Sequence, residues 1–338
     1  MSLAWLLVQL ALCALLIARA GFVLSRSADR LAALYGWGRG WVGLALLASV
    51  TSLPELASGI SAVAFVDAPN LAVGNALGAC VVNLAFLVIV DALQRHQPIY
   101  RAASTTHLLS AGFGVVMLGF VALSLLMGRR APSLFEVGAF SPLLLGLYLL
   151  ALRSVHAHEQ QALAAAAAAA PPDAPAPPSA AVQREWHHFG LAAIAVVAAG
   201  LWLPEAADRL ATELQLSRSF VGTILMALVT TLPEMAVTLS ALRLGALDMA
   251  IGNLLGSSLF NVMILAIDDL FYPHGPLLAA ADAVHAGTAV TAMVMSGLVI
   301  IGLVMRPQGR VLRVTSWISI ALLSTYLVNV ALVYLSGA

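Results

Sequence analysis

At 338 residues, with 61% apolar residues, 9% charged ones and a mean hydropathy of +0.97, the chain holds far fewer charges than the roughly 25% of a soluble domain, which excludes an ordinary water-soluble fold. Sixteen basic residues, all arginine, balance sixteen acidic ones, and a net charge of zero argues against a nucleic-acid partner. Cys13 and Cys80 both lie in apolar runs, so no disulfide framework is expected.

In chain order, apolar runs predict spanning helices at about 3–25, 40–65, 70–93, 104–128 and 133–153. A second set follows at about 188–204, 218–244, 248–270, 283–305 and 311–336. The first run, Leu3 to Ala18, resembles a signal-peptide core followed by Ala18-Arg19-Ala20, but no positive segment precedes it, and it is read as a retained first span. Between the two sets, Ala162–Ala170 and the proline-rich stretch 171–178 suit a helical extension running into a stiff tether. The nearby His156, His158, His187 and His188 are read as solvated loop residues. The organisation expected is a first five-helix repeat at 1–153, a cytoplasmic Ala/Pro-rich linker at 154–187 and a second five-helix repeat at 188–338.

The repeat is visible directly. Adding 179 to the positions from Ala28 to Glu55 lands on Ala207 to Glu234, with 15 of 28 residues identical. The match then resumes at an offset of 178, placing Gly74, Asn75, Gly78 and Asn83 on Gly252, Asn253, Gly256 and Asn261. Five helices per half is an odd number, so the second half is expected to be inserted upside down. Arginine placement agrees: with the N-terminus outside, twelve arginines fall in cytoplasmic loops and four in external ones. The fold class expected is all-α integral membrane, with ten transmembrane helices in two inverted-topology repeats and polar groups at the midplane, the architecture of secondary transporters.

Each half places Thr-(Ser/Thr)-Leu-Pro-Glu inside an otherwise apolar span, at Thr51 to Glu55 and Thr230 to Glu234. Proline cannot donate to the carbonyl four residues back, Val50 or Val229, and lipid offers that carbonyl no water. An intramembrane glutamate is costly enough to mark function by default. Thr51 and Ser52 precede Glu55 by four and three residues and can share its helix face, as can Thr230 and Thr231 with Glu234. Asn253, Ser257 and Asn261 recur every fourth residue, as do Asn75, Ala79 and Asn83, drawing one stripe down each helix. Asn75 and Asn253 are read as interhelical hydrogen bonders, Asn83 and Asn261 as ligands level with the glutamates. Gly74, Gly78, Gly252 and Gly256 are read as packing positions. Hydroxyls, a carbonyl and a carboxylate are hard oxygen donors, suited to Ca²⁺ or Na⁺.

These paired segments, residues 48–83 and 227–261, resemble the alpha repeats of the cation/calcium antiporter superfamily, the sodium/calcium exchangers of prokaryotic type. The resemblance covers essentially the whole transmembrane chain and implies a multi-pass protein of a bacterial or archaeal cell membrane. It implies a four-sided site between the second, third, seventh and eighth spans. It nominates Thr51, Ser52, Glu55 and Asn83 with Thr230, Thr231, Glu234, Ser257 and Asn261 as metal ligands, and suggests that the first and sixth spans slide across the rest. No resident cofactor is implied, since Ca²⁺ and Na⁺ or H⁺ would be cargo; the expected partners are inorganic cations and the lipid bilayer.

This chain departs from the family pattern. Family members usually have glycine where Val50 and Val229 stand, serine at Ala79, asparagine at Cys80 and often aspartate at Asn261, and Asn70 replaces an acidic residue that Asp248 retains. The site therefore holds at most two negative charges, which one Ca²⁺, two monovalent cations or two protons would neutralise, and a third sodium would leave costly excess charge. Exchange of Ca²⁺ for Na⁺ is the leading expectation; exchange for H⁺ in the same fold is the alternative, because paired buried glutamates can exchange protons. An intramembrane hydrolase lacks both a His-Glu-x-x-His motif and a Gly-x-Ser-x-Gly elbow. Asp67, Asp91, Asp268 and Asp269, near span ends, are read as ordinary interfacial charges. A non-transporting sensor or scaffold would explain the lost ligands as decay, and retention of both glutamates speaks against it.

Overall fold

The computed structural model describes residues 3–34, 48–94, 97–167, 179–311 and 314–336. The first helix, α1 (Leu3–Leu34), buries Leu6, Cys13, Ile17, Leu24 and Ala28 along one stripe, and exposes Trp5, Leu7, Val8, Leu12 and Leu15 on the other side. A 3.6-residue period produces that stripe, and an exposed face of Leu, Val and Trp suits lipid. A broken helix follows as α2 (Ala48–Thr51) and α3 (Leu53–Ala64), then α4 (Pro69–Leu93), short α5 (Ile99–Ala102) and α6 (His107–Met127). The first half closes with a hairpin, β1 (Ser133–Leu134) and β2 (Val137–Gly138), and with α7 (Phe140–Ala167).

The second half opens with α8 (Ser179–Glu213) and continues with α9 (Arg218–Phe220). A π-helical turn over Val221–Met226 leads into α10 (Ala227–Thr230) and α11 (Leu232–Arg243). Then come α12 (Leu247–Phe271), short α13 (Leu277–Ala280), α14 (Val284–Met305) and α15 (Trp317–Ser336). Among the described residues eight helices are long and apolar enough to cross a membrane, and the bent pair spanning Arg218–Thr230 and Leu232–Arg243 makes a ninth. The start of the expected second span, residues 40–47, lies outside the described residues.

Several expected boundaries move. The span expected from 133 begins at Phe140, because Ser133 pairs with Gly138 and Leu134 with Val137 in the hairpin. The spans expected at 3–25 and 188–204 run on to Leu34 and from Ser179 to Glu213. Pro204 sits inside α8 without ending it. The linker expected at 154–187 is helical up to Ala167 and again from Ser179, and its residues 168–178 lie outside the described set.

α12 is the centre of the fold, buried along almost its whole length and packed against α3, α4, α6, α7 and α11. α1 lies on α8, and each also crosses the broken helix of the other half: α1 packs on α11, α8 on α3. Glycines at matching repeat positions make these approaches possible. A Cβ on Gly21 would collide with the Pro233 ring, and one on Gly200 would stand 2.8 Å from the Ala57 Cβ and 3.1 Å from the Pro54 carbonyl.

Asp91 and Asp269 are not interfacial charges, because both are buried at matching positions of the repeat. Asp91 accepts from the amides of Ile99 (3.0 Å) and Ser316 (2.7 Å) and the hydroxyls of Thr315 (2.7 Å) and Ser319 (2.8 Å). Asp269 accepts from the amides of Leu277 (2.6 Å) and Gly138 (2.8 Å) and the Ser141 hydroxyl (2.5 Å). Each ties its span to the amide eight residues on, at the head of α5 or α13. Asp91→Ala strands two buried amides at about 1–3 kcal/mol each, so a loss of roughly 3 kcal/mol or more is expected in thermal or denaturant unfolding.

Asp248 keeps partners in the Ser104 amide (2.7 Å) and His107 Nε2 (3.0 Å). Its mate Asn70 lacks a carboxylate, and Asp282, the mate of Ser104, supplies one: Asn70 Nδ2 donates to Asp282 Oδ2 and the Asp282 amide to Asn70 Oδ1, both at 2.7 Å. The acid has changed sides of the same junction.

Candidate cation-binding site

Two matching breaks build the site. α2 ends at Thr51, Ser52 adopts φ −87° and ψ 12°, and α3 starts at Leu53 with Pro54 in its first turn. α10 ends at Thr230, Thr231 adopts φ −78° and ψ 1°, and α11 starts at Leu232 with Pro233. The second pair bends by 43°. The break leaves Glu55 and Glu234 at the third position of their half-helices, where unpaired amides and the positive end of the helix dipole favour a carboxylate. Thr51, Ser52, Glu55, Thr230, Thr231 and Glu234 are all 0% exposed, so no solvent offsets the charges.

Hydrogen bonds link four helices around the breaks. Ser52 Oγ donates to Glu234 Oε1 across the repeat at 2.9 Å, and Thr51 Oγ1 lies 3.3 Å from Ser257 Oγ on α12. Thr230 Oγ1 donates to Asn75 Oδ1 on α4 (3.1 Å), and Asn75 Nδ2 to Ser58 Oγ on α3 (2.9 Å). Ser58 Oγ in turn donates to the Glu55 carbonyl at 3.1 Å. Asn253 Nδ2 reaches the Glu234 carbonyl and Thr238 Oγ1, both at 3.2 Å. Asn75 and Asn253 are interhelical hydrogen bonders, as expected. Gly74 and Gly78 also pack as expected, their faces against the backbone of Thr223 in the π-helical turn.

The halves are not equivalent. Thr231, the mate of Ser52, turns its hydroxyl to the Ala227 carbonyl (2.8 Å), and neither carboxylate oxygen of Glu55 has a hydrogen-bond partner. Ala79 stands where Ser257 would have its mate, and Thr230 bonds Asn75 instead. Glu234 Oε2 and both side-chain atoms of Asn83 and Asn261 are likewise buried without partners. These hydrogen bonds join Thr51, Ser52, Thr230, Glu234 and Ser257 to the helices around them; Glu55, Asn83, Thr231 and Asn261 are buried on the same helices but are not bonded to the others. Ser58 and Thr238, which hold the asparagines, were not singled out in the sequence; their only signal is a hydroxyl within one turn of each glutamate. Among the described residues no arginine or histidine pairs with Glu55 or Glu234. Buried carboxylate and amide oxygens lacking donors are a donor set for a hard cation.

The description that matches this chain is that of the sodium/calcium exchanger proteins, over residues 5–155 and again over 185–335. The chain belongs to the sodium/calcium exchanger family. Among this exchanger's relatives, the inner membrane protein YrbG of Escherichia coli is 27% identical over 229 residues, covering 66% of each chain. The sodium/calcium exchanger MaX1 of Methanosarcina acetivorans is 38% identical over 84 residues, 25% of this exchanger and 24% of MaX1. Among solved structures, the sodium-calcium exchanger NCX_Mj, soaked with Na⁺ and Sr²⁺, superposes with a TM-score of 0.64 at 22% identity, covering 98% of this exchanger and 99% of NCX_Mj. The fold is thus that of a multi-pass membrane transporter and not of an enzyme, and family membership makes the chain a cation antiporter.

Proposed function

We propose that this antiporter exports Ca²⁺ in exchange for Na⁺ by alternating access, from ten spans arranged as two inverted repeats with the N-terminus outside. The observation that carries the reading is the pair of buried glutamates at matching helix breaks, with Glu55 Oε1 and Oε2, Glu234 Oε2 and the Asn83 and Asn261 amides all lacking partners. Glu55, Glu234, Thr51, Ser52, Asn83, Thr230, Thr231, Ser257 and Asn261 are the ligands in this reading. The name of MaX1, and that of the sodium-calcium exchanger NCX_Mj, which was soaked with Na⁺ and Ca²⁺ as well as with Sr²⁺, support Ca²⁺ and Na⁺ as cargo. Two carboxylates balance one Ca²⁺ or two Na⁺, so each ion displaces the other and their fluxes are tied.

A Ca²⁺/H⁺ antiporter is the second reading. It is favoured by the Glu55 carboxyl, which has no donor and can be neutralised by a single proton. Proteoliposomes holding the full chain separate the readings. Radiolabelled Ca²⁺ uptake driven by a Na⁺ gradient and indifferent to a proton gradient is the expected result. Uptake driven by the proton gradient alone replaces Na⁺ with H⁺, and no uptake under either gradient retires calcium exchange.

A further inference from the structure

The repeat is broken at one buried pair that the cation site does not use. Asp268 on α12 matches Val90 on α4, and Gly59 on α3 matches Thr238 on α11. In the fold these two departures meet. The Asp268 carboxyl fills the space beside Gly59, its Oδ1 2.7 Å and Cγ 2.8 Å from where a Cβ would stand, so any larger residue at 59 would displace it. Asp268 is 0% exposed, and neither carboxyl oxygen has a hydrogen-bond partner. It is not the interfacial charge that its place near a span end implied.

The ionisable groups around it are accounted for. Asp269, next in sequence, takes the donors of the hairpin and of α13. Glu55 lies one helical turn before Gly59 on α3; α11 carries Glu234 and Arg243, α4 carries Asp91, α6 carries His107, and α7 carries Arg153, His156 and His158. Among the described residues none of them forms an ion pair with Asp268. A carboxylate without water, donor or counter-charge is very costly in a membrane interior. A metal ion needs several ligands, and among the described residues Asp268 belongs to no group of three His, Cys, Asp or Glu and is hydrogen-bonded to no hydroxyl or amide. A proton needs one oxygen.

We propose that Asp268 is a proton-binding carboxyl beside the cation site, protonated while Gly59 covers it and releasing its proton to water when the sliding of α8 across α3 during exchange shifts Gly59 off it. On release the carboxyl O–H bond breaks, its electron pair stays on the oxygen and the proton passes to water; covering reverses the step. The cycling rests on the antiporter reading, but the protonated carboxyl in the fold described here does not.

Infrared spectroscopy of the full chain in lipid bilayers tests the proton directly. In the Glu55→Gln/Glu234→Gln background at neutral pH, an un-ionised carboxyl band is expected, and adding Asp268→Asn is expected to remove it. Asp268→Val, which copies Val90, serves if the amide variant fails to fold. A spectrum unchanged by either substitution overturns the proposal. The cycling is read from the pH profile of exchange in an otherwise unaltered chain, which Asp268→Asn is expected to flatten; superimposable profiles overturn that part. The band together with no cation flux from the unaltered chain removes the antiporter reading and leaves the proton site standing.

Discussion

Neutralising both glutamates, Glu55→Gln/Glu234→Gln, is expected to lower Ca²⁺ affinity and exchange by at least about 100-fold, since losing even an outer-shell partner of a bound metal costs roughly 10–100-fold. The proposed site has two formal negative charges to set against a divalent ion, and this variant removes both. The fold is expected to stay at least as stable, because Glu55 has no side-chain donor to lose and Glu234 only that of Ser52, and replacing a buried charge by an amide of the same shape relieves desolvation. The single variants should differ: Glu234→Gln keeps an oxygen for Ser52, whereas Glu55→Gln alters a group with no such partner. Titration calorimetry with Ca²⁺ and radiolabelled uptake read the affinity and the flux, and thermal unfolding reads the fold. Ca²⁺ binding that survives unchanged in the double variant would sink the assignment of this site.

The second large effect is expected where α1 and α8 cross the broken helices. Gly21→Val and Gly200→Val should each reduce exchange by more than about tenfold while Ca²⁺ binding is retained, with stability lowered by roughly 1–3 kcal/mol from overpacking. Gly21 meets the Pro233 ring, and Gly200 the Ala57 methyl and Pro54 carbonyl, so each added side chain wedges against the element that carries a glutamate. If α1 and α8 slide during exchange, as the family resemblance implies, these contacts lie on the sliding surface. A variant that folds, binds Ca²⁺ and exchanges it at the unaltered rate would show that the surface does not move. Equal loss of binding and exchange would make it a packing position of the site itself.

Much of this was legible in the sequence because the signals are local. A proline removes its own amide donor wherever it stands, so Pro54 and Pro233 announced both helix breaks, and the repeat from Ala28 to Glu55 announced that there are two. The span expected at 70–93 matches α4 almost to the residue, since Pro69 sets its start and a long apolar run follows. Boundaries failed where a distant segment decides them: nothing near Ser133 shows that Gly138 and Ser141 bind Asp269, 131 and 128 residues away. The charges at span ends obey the same rule. Whether an aspartate there meets water depends on what packs over it, and Asp91, Asp268 and Asp269 are covered by α5, the hairpin, α13 and Gly59.

Membrane class, duplication and the placing of one carboxylate at a break in each half follow from the order of residues alone, because hydropathy, internal identity and proline chemistry need no partner. How the halves differ comes from packing. Ser52 serves the glutamate of the other half, 182 residues away, while its mate Thr231 turns back on its own helix and leaves Glu55 without a donor. The Thr-Ser-Leu-Pro-Glu and Thr-Thr-Leu-Pro-Glu segments look alike as strings of residues. They are unlike in the fold because a hydrogen bond across the repeat depends on which face each helix turns to its neighbour, and packing alone sets that.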